Sequence, residues 1–100
     1  MQKQAYLIVA HDKFEQLKFL ISLLDYEGHD IFVHIDKKAT LSQEELDAIQ
    51  AVSQHSTTYL VPRMAVYWGD YTQIENELLL FDYASQKDDY AMYHLLSGVD

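Results

Sequence analysis

A continuous apolar run, Ala5-Tyr6-Leu7-Ile8-Val9-Ala10, leads directly into the polar pair His11-Asp12. Six apolar residues in a row are typical of a strand buried on both faces of a parallel sheet. A helical pattern follows, because Asp12 and Glu15 have the spacing of a capping box and Gly28 is placed to end a helix in a left-handed cap. Between them, apolar residues recur at intervals of three and four: Phe14, Leu17, Leu20, Ile21 and Leu24.

The alternation of strand and helix continues along the chain. Two further capping boxes, Ser42 to Glu45 and Thr72 to Glu75, each predict the start of a helix. The inward residues expected in the first of these helices are Leu46, Ile49 and Val52, and those in the second are Ile74, Leu78, Phe81 and Ala84. The predicted strands are 31–35, 57–61 and 90–96, with another extended piece at 64–68. Crossover helices between strands indicate an α/β fold with a mostly parallel sheet.

Composition excludes several classes of function. The 100 residues suffice for one small domain, and 49% of them are hydrophobic. Net charge is −9 with only seven Lys and Arg, which argues against nucleic-acid binding. Without Cys there are neither disulfides nor thiolate metal sites, and the five His lack metal-ligand spacing. No signal peptide or membrane span is recognisable, so a bacterial cytoplasmic location is expected, with possible peripheral association at the inner membrane face.

Unusual residues gather where predicted strands end. Because ligands of parallel sheets bind at the carboxyl ends of the strands, these residues are the candidate site. Asp36 could accept hydrogen bonds from a ribose or a base while Lys37 or Lys38 approaches a diphosphate; alternatively, Asp36 is a turn residue and the lysines are solvated. The remaining candidates are His11, Arg63, Trp68-Gly69-Asp70 and Ser97-Gly98-Val99-Asp100.

Some of these residues have an ordinary structural interpretation. Asp12 is expected to cap a helix, and His34 is expected to be a hydrogen-bonded core histidine. Trp68 either stacks on a base or sugar ring, with Gly69 allowing close approach, or packs in the core. The pair Asp88-Asp89 precedes the last strand, at the end opposite the candidate site, and is interpreted as a solvated turn.

Four motifs occur in order: 5–11 (AYLIVAH), 34–38 (HIDKK), 66–69 (VYWG) and 93–100 (YHLLSGVD). Together they resemble the core-2/I-branching family, which contains β-1,6-N-acetylglucosaminyltransferases and peptide O-xylosyltransferases. The resemblance covers essentially the whole chain, which corresponds to the N-terminal part of a family catalytic domain. It implies a Rossmann-like, GT-A type nucleotide-diphospho-sugar transferase fold. It also implies an inverting transfer from a UDP-sugar to a glycan or glycolipid acceptor, without a metal or other cofactor.

The resemblance also implies roles for particular residues. Val9, Ala10, His11 and Asp36 would face the uridine, while Trp68-Gly69 and 97–100, including Ser97, Gly98 and Asp100, would shape the donor and acceptor cleft. The family commonly has a second Gly and a Ser where this chain has Asp70 and Thr72. Its catalytic carboxylate and the basic residues that hold the diphosphate lie further along, so no catalytic residue is assigned here.

The leading interpretation is that residues 1–100 are the donor-binding part of a glycosyltransferase, and two other functions compete with it. A non-catalytic receiver-like signalling module shares the acidic α/β pattern, but His11-Asp12 supplies only half of its acidic pair and no late strand carries its Lys. The second alternative is a structural domain that binds no ligand. The sequence identifies neither the donor sugar, for which N-acetylglucosamine is favoured, nor the acceptor, such as a cell-surface polysaccharide.

Overall fold

The chain forms a four-stranded parallel sheet with helices on both faces. This computed structural model describes residues 3–67 and 71–97. The strands lie in the order β3-β2-β1-β4, and each neighbouring pair is parallel. The expected α/β class is therefore confirmed. The strands are β1 (Lys3–Ala10), β2 (His29–Ile35), β3 (Thr57–Leu60) and β4 (Tyr90–Ser97), and the helices are α1 (Phe14–Leu23), α2 (Gln43–Gln50) and α3 (Tyr71–Ser85).

Two hydrophobic layers enclose the sheet. One layer packs α1 and α2 against Ile8 of β1 and against Ile31 and Val33 of β2. The other packs α3 against the opposite face, where Leu7 and Phe32 are buried. Successive residues of a strand point to opposite faces, so a strand that serves both layers must be apolar at nearly every position. This requirement explains the unbroken apolar runs in β1 and β2.

The first helix begins differently from the expectation. Its N-cap is Lys13, not Asp12, and no side chain caps it. Lys13 has a left-handed backbone (φ 54°, ψ 52°), which is uncommon for a residue with a Cβ. Gly28 does have a positive φ of 90°, but the helix already ends at the C-cap Leu24, so Gly28 belongs to the turn before β2.

Of the two other predicted capping boxes, one is confirmed and one is wrong. Ser42 and Glu45 form the expected capping box at the start of α2. Thr72 does not cap α3, because the helix already begins at Tyr71. Instead, the Thr72 hydroxyl accepts from the Tyr67 amide at 2.9 Å and donates to the Tyr67 carbonyl at 3.2 Å. Thr72 therefore ties the chain before α3 to its first turn.

The inward face of α3 was also predicted wrongly. Of the expected inward residues only Ala84 is buried, together with Asn76 and Leu80, whereas Ile74, Leu78 and Phe81 are exposed. The sheet therefore receives a mixed stripe that includes a polar amide, and the more apolar stripe is left exposed.

The amino edge of the sheet, opposite the candidate site, is closed by a polar cluster. Lys3 bridges Asp30 and Asp88 at 3.2 and 3.3 Å, and the Tyr90 hydroxyl donates to Asp30 at 2.6 Å. Burial, followed by the bond to Asp30, raises the pKa of Tyr90, so this hydroxyl stays protonated. Asp88 and Asp89 are exposed there, and Asp88 additionally holds Lys3.

Candidate functional site

Two candidate segments, 10–12 and 36–38, meet at the carboxyl edge of the sheet. Ala10 and Ile35 are partners in the β1–β2 register, so His11 and Asp36 follow neighbouring strands at the same level. The Asp36 amide donates to the Ala10 carbonyl at 2.9 Å and extends the pairing by one residue. The structure thus brings these two sequence segments together.

Asp36 is a buried carboxylate that holds the backbone around it. Only 3% of the residue is exposed. Its Oδ1 accepts from the Lys38 amide at 2.9 Å and from the Val66 amide at 3.4 Å, and its Oδ2 lies 3.6 Å from Lys38 Nζ. The turn-residue interpretation is therefore correct in part, because Asp36 organises the turn 36–39. Oδ2 faces the Lys38 ammonium group and accepts no backbone hydrogen bond from the described residues.

Lys38, the ion-pair partner of Asp36, also contacts the ring of Tyr67. Lys38 Nζ lies 4.4 Å from the centroid of the Tyr67 ring, a cation–π geometry. Both side chains are exposed, so the contact is open to solvent and is worth about 0.5–1 kcal/mol. Tyr67 was not among the sequence-predicted site residues. Only its position beside Trp68 could have pointed to it.

Arg63 lies at the same edge but serves the backbone. Its Nε donates to the Ile35 carbonyl at 3.1 Å, and its Nη2 donates to the carbonyls of Asp36 and Ala39 at 2.8 and 2.6 Å. The guanidinium thereby satisfies carbonyls that the end of β2 leaves without strand partners. Arg63 contributes positive charge to the edge, while two of its nitrogens are committed to the fold.

His34 is a core histidine, as expected. It is fully buried, and its Nε2 accepts from the Met64 amide at 2.9 Å. Burial lowers the pKa of His34 to about 4, and the charge of Arg63 adds to this effect while Asp36 opposes it. The imidazole is therefore neutral near pH 7, with its proton on Nδ1, because Nε2 is the acceptor. Nδ1 is buried and has no hydrogen-bond partner among the described residues, and the same is true of both amide atoms of Asn76 on α3.

The segment 61–67 is held over the carboxyl edge by these contacts. The Val61 amide donates to the Val33 carbonyl at 3.0 Å, and the Lys37 amide donates to the Met64 carbonyl at 3.1 Å. Although 64–68 was expected to be extended, none of 64–67 belongs to a strand. Side chains of His34 and Asp36 replace strand partners along this segment.

The remaining predicted residues divide into four groups. Val9 and Ala10 are buried, so neither presents an open surface to a base. His11 is half-buried, with Nε2 3.5 Å from Asp12 Oδ1. Ser97 pairs with Val9 in the β1–β4 register and so reaches the carboxyl edge. Trp68, Gly69, Asp70, Gly98, Val99 and Asp100 lie outside the described residues.

Positive charge concentrates at this edge in an otherwise acidic chain. Four of the seven Lys and Arg residues lie there, in or next to the strand ends: Lys13, Lys37, Lys38 and Arg63. Among the described residues, the carboxylates in the same segments are Asp12 and Asp36. A phosphate-bearing ligand therefore meets a more favourable potential here than the net charge of −9 suggests.

An open cleft of ≈ 290 Å³ between α1 and α2 lies beside the site. The cleft is lined by the apolar residues Phe14, Ala48 and Ile49 and by the charged residues Glu15, Glu44, Glu45 and Lys18. Three carboxylates against one ammonium make this cleft unsuitable for phosphate. A diphosphate is better matched by the lysines of the 36–38 turn, which do not line this cleft.

Comparisons with known proteins add no family assignment. No family model matches the chain, and no curated protein is significantly similar to it. Within residues 3–67 and 71–97, no cluster of His, Asp and Glu could hold a metal ion. No helix in this part of the chain is both long and apolar enough to cross a bilayer.

Proposed function

We propose that this chain is the donor-binding part of a sugar transferase, and that its carboxyl edge binds the uridine diphosphate of a UDP-sugar. The donor sugar is N-acetylglucosamine, the acceptor is a glycan or glycolipid, and the transfer inverts the anomeric centre without a metal. The observation that carries the proposal is the gathering of Asp36, Lys37 and Lys38 beside His11, at the strand ends of a parallel sheet.

The strand order supports a nucleotide-binding function over the receiver alternative. Receiver-like sheets have the order 2-1-3-4-5, whereas Rossmann sheets begin 3-2-1-4. Here β3 lies outside β2, and β4 pairs with the other side of β1. The direction of winding therefore reverses between β1 and β4, and ligands of such sheets bind outside the carboxyl ends at this point.

In the proposed complex, Asp36 Oδ2 accepts from the uridine, and Lys38 turns from Asp36 towards the diphosphate. Breaking the Lys38–Tyr67 contact is inexpensive because both side chains are exposed. The reaction also needs a carboxylate that takes the proton of the acceptor hydroxyl, and cations that stabilise the departing UDP. The described residues bind and orient the donor, and no base is assigned among them.

Binding of UDP tests this function. Chemical shifts of backbone amides are followed by NMR during titration with UDP in the presence of EDTA, since this method detects weak binding. We expect the largest shifts in 10–13 and 36–38. Lys38→Gln is expected to weaken binding about 5- to 10-fold, because a charge-assisted phosphate contact contributes roughly 1–1.5 kcal/mol.

Lys87→Gln is the matched control, since Lys87 is an exposed lysine near the opposite edge of the sheet. Inorganic phosphate at equal concentration separates nucleotide recognition from simple anion binding. Equal UDP affinities in the two variants, or shifts that occur equally with phosphate alone, would exclude a UDP site at Asp36 and Lys38.

A further inference from the structure

Tyr67 lies in the segment 61–67, and its backbone is held there from two directions. The Thr72 hydroxyl accepts from the Tyr67 amide at 2.9 Å and donates to the Tyr67 carbonyl at 3.2 Å. One residue earlier, Val66 is fully buried, and its amide donates to Asp36 Oδ1 at 3.4 Å. Because this backbone is already ordered, binding of a ligand to the Tyr67 ring requires little further ordering of the chain.

The ring of Tyr67 does not serve the hydrophobic core. The residue is 55% exposed, and its ring belongs to neither of the two hydrophobic layers. Within residues 3–67 and 71–97, no other aromatic ring packs against it. The contact that the ring does make is with the ammonium group of Lys38. An open aromatic ring on an ordered backbone is suited to stacking on a flat ligand.

One ammonium group links this ring to the carboxylate of the candidate site. Lys38 Nζ lies 4.4 Å from the centroid of the Tyr67 ring and 3.6 Å from Asp36 Oδ2. Ring and carboxylate are therefore close enough for a single small group to contact both. When Lys38 turns towards the diphosphate, as in the proposed complex, it leaves the ring and Oδ2 at the same time.

We propose that Tyr67 stacks on the uracil ring of the donor and receives the base in exchange for the Lys38 ammonium group. This inference rests on the proposed UDP site and identifies the residue of that site that holds the base. A uridine can replace both contacts of Lys38, because its base has a flat face for the ring and its N–H and hydroxyl groups can donate to Asp36 Oδ2. Stacking of a base on an aromatic ring is stronger than an exposed cation–π contact, so the exchange is favourable.

Stacking and charge recognise different parts of the donor. The Tyr67 ring requires a flat base, whereas the Lys38 ammonium group recognises the charge of the diphosphate. Inorganic pyrophosphate carries this charge without a base, so it separates the two contributions. Removal of the Tyr67 ring should weaken the binding of UDP alone, and removal of the Lys38 charge should weaken the binding of both ligands.

Affinities for UDP and for pyrophosphate, measured by NMR titration in the presence of EDTA, test this assignment. Tyr67→Ala should weaken UDP binding about 5- to 30-fold, which corresponds to roughly 1–2 kcal/mol of stacking. It should not weaken pyrophosphate binding, because it only frees Lys38 from the ring. Tyr67→Phe retains the ring and should bind UDP as the wild type does. Tyr26→Ala is the matched control, since Tyr26 is 62% exposed in the loop before β2, near the amino edge of the sheet.

A nuclear Overhauser effect between the uracil protons and the ring protons of Tyr67 gives a second readout that does not depend on a variant. Bound UDP without this contact would overturn the stacking, and so would a Tyr67→Ala variant with wild-type affinity for UDP or with an equal loss of affinity for pyrophosphate. These outcomes leave the proposed function intact as long as Lys38→Gln weakens UDP binding. A wild-type chain that binds no UDP would instead remove the UDP site, and this inference with it.

Discussion

The imidazole of His34 accepts a hydrogen bond from the backbone amide of Met64, 30 residues later, with a nitrogen–nitrogen distance of 2.9 Å. A neutral histidine side chain thus completes the hydrogen bonding of a segment that lacks a strand partner. The same segment delivers Val66 to Asp36 and Tyr67 to Lys38. The geometry of the candidate site therefore depends on the protonation state of a residue beneath it.

Acidification should consequently destabilise the fold before most carboxylates titrate. The pKa of His34 is about 4 in the folded chain, against an ordinary value of 6.5, so the unfolded state binds the proton more readily. The stabilisation is complete above about pH 6.5 and is lost as the pH falls towards 4, with a total of roughly 3 kcal/mol. Urea unfolding at a series of pH values measures how steeply the free energy of unfolding changes with pH.

His34→Gln should make the free energy of unfolding less dependent on pH between pH 6.5 and 4, since glutamine cannot gain a proton. His55→Gln is the control, because His55 is exposed. An unchanged slope in His34→Gln would assign the acid sensitivity to other groups.

Asp25 joins two loops and should contribute strongly to stability. It accepts from the amides of Gln54, His55 and Ser56 and from the Ser56 hydroxyl, at 2.7–2.9 Å. Burial opposes ionisation of Asp25, but these four bonds outweigh it and hold its pKa below the usual range. Asp25→Ala should lower the free energy of unfolding by about 2–3 kcal/mol. Chemical denaturation measures this loss, and Asp89→Ala, which alters an exposed carboxylate, should cost less than about 0.5 kcal/mol.

Arg63 should act on the fold more than on ligand affinity. Its three carbonyl bonds require the planar, forked guanidinium, which lysine cannot replace. Arg63→Lys should therefore cost about 1.5–3 kcal/mol of stability and speed amide exchange in 36–39. If Arg63→Lys kept wild-type stability but lost UDP binding, the guanidinium would belong to the ligand site instead.

Asn76 is expected to limit stability. It is fully buried, and neither amide atom has a hydrogen-bond partner within residues 3–67 and 71–97. Replacing an unsatisfied amide with an apolar group of similar volume removes its desolvation cost, so Asn76→Leu should stabilise the fold by about 1–2 kcal/mol. Thermal unfolding of Asn76→Leu and of Leu80→Asn, which should be destabilised, provides a matched pair. A loss of stability in Asn76→Leu would indicate that the amide is satisfied in solution, for example by water.

The sequence alone was sufficient for the elements and for their alternation. Strands buried on both faces need continuous apolar residues, and amphipathic helices need apolar residues every three to four positions, so β1, β2, α1 and α2 are readable from local spacing. Parallel strands bring their carboxyl ends to one edge, so the placement of His11 and Asp36 at the same edge followed from strand assignment, whereas their proximity depends on the pairing of β1 with β2.

Only the tertiary structure decided which helix face is buried and which partners the polar side chains have, because local spacing allows more than one answer. On α3 the more apolar stripe is exposed, because packing on the sheet selected Asn76, Leu80 and Ala84 over Ile74, Leu78 and Phe81. Packing likewise committed Arg63 to carbonyls and Asp36 to amides, and it set the strand order that separates a Rossmann sheet from a receiver. Each of these outcomes depends on which groups, distant in sequence, still need a hydrogen-bond or packing partner once the helices pack on the sheet. This depends on the whole chain and not on local sequence.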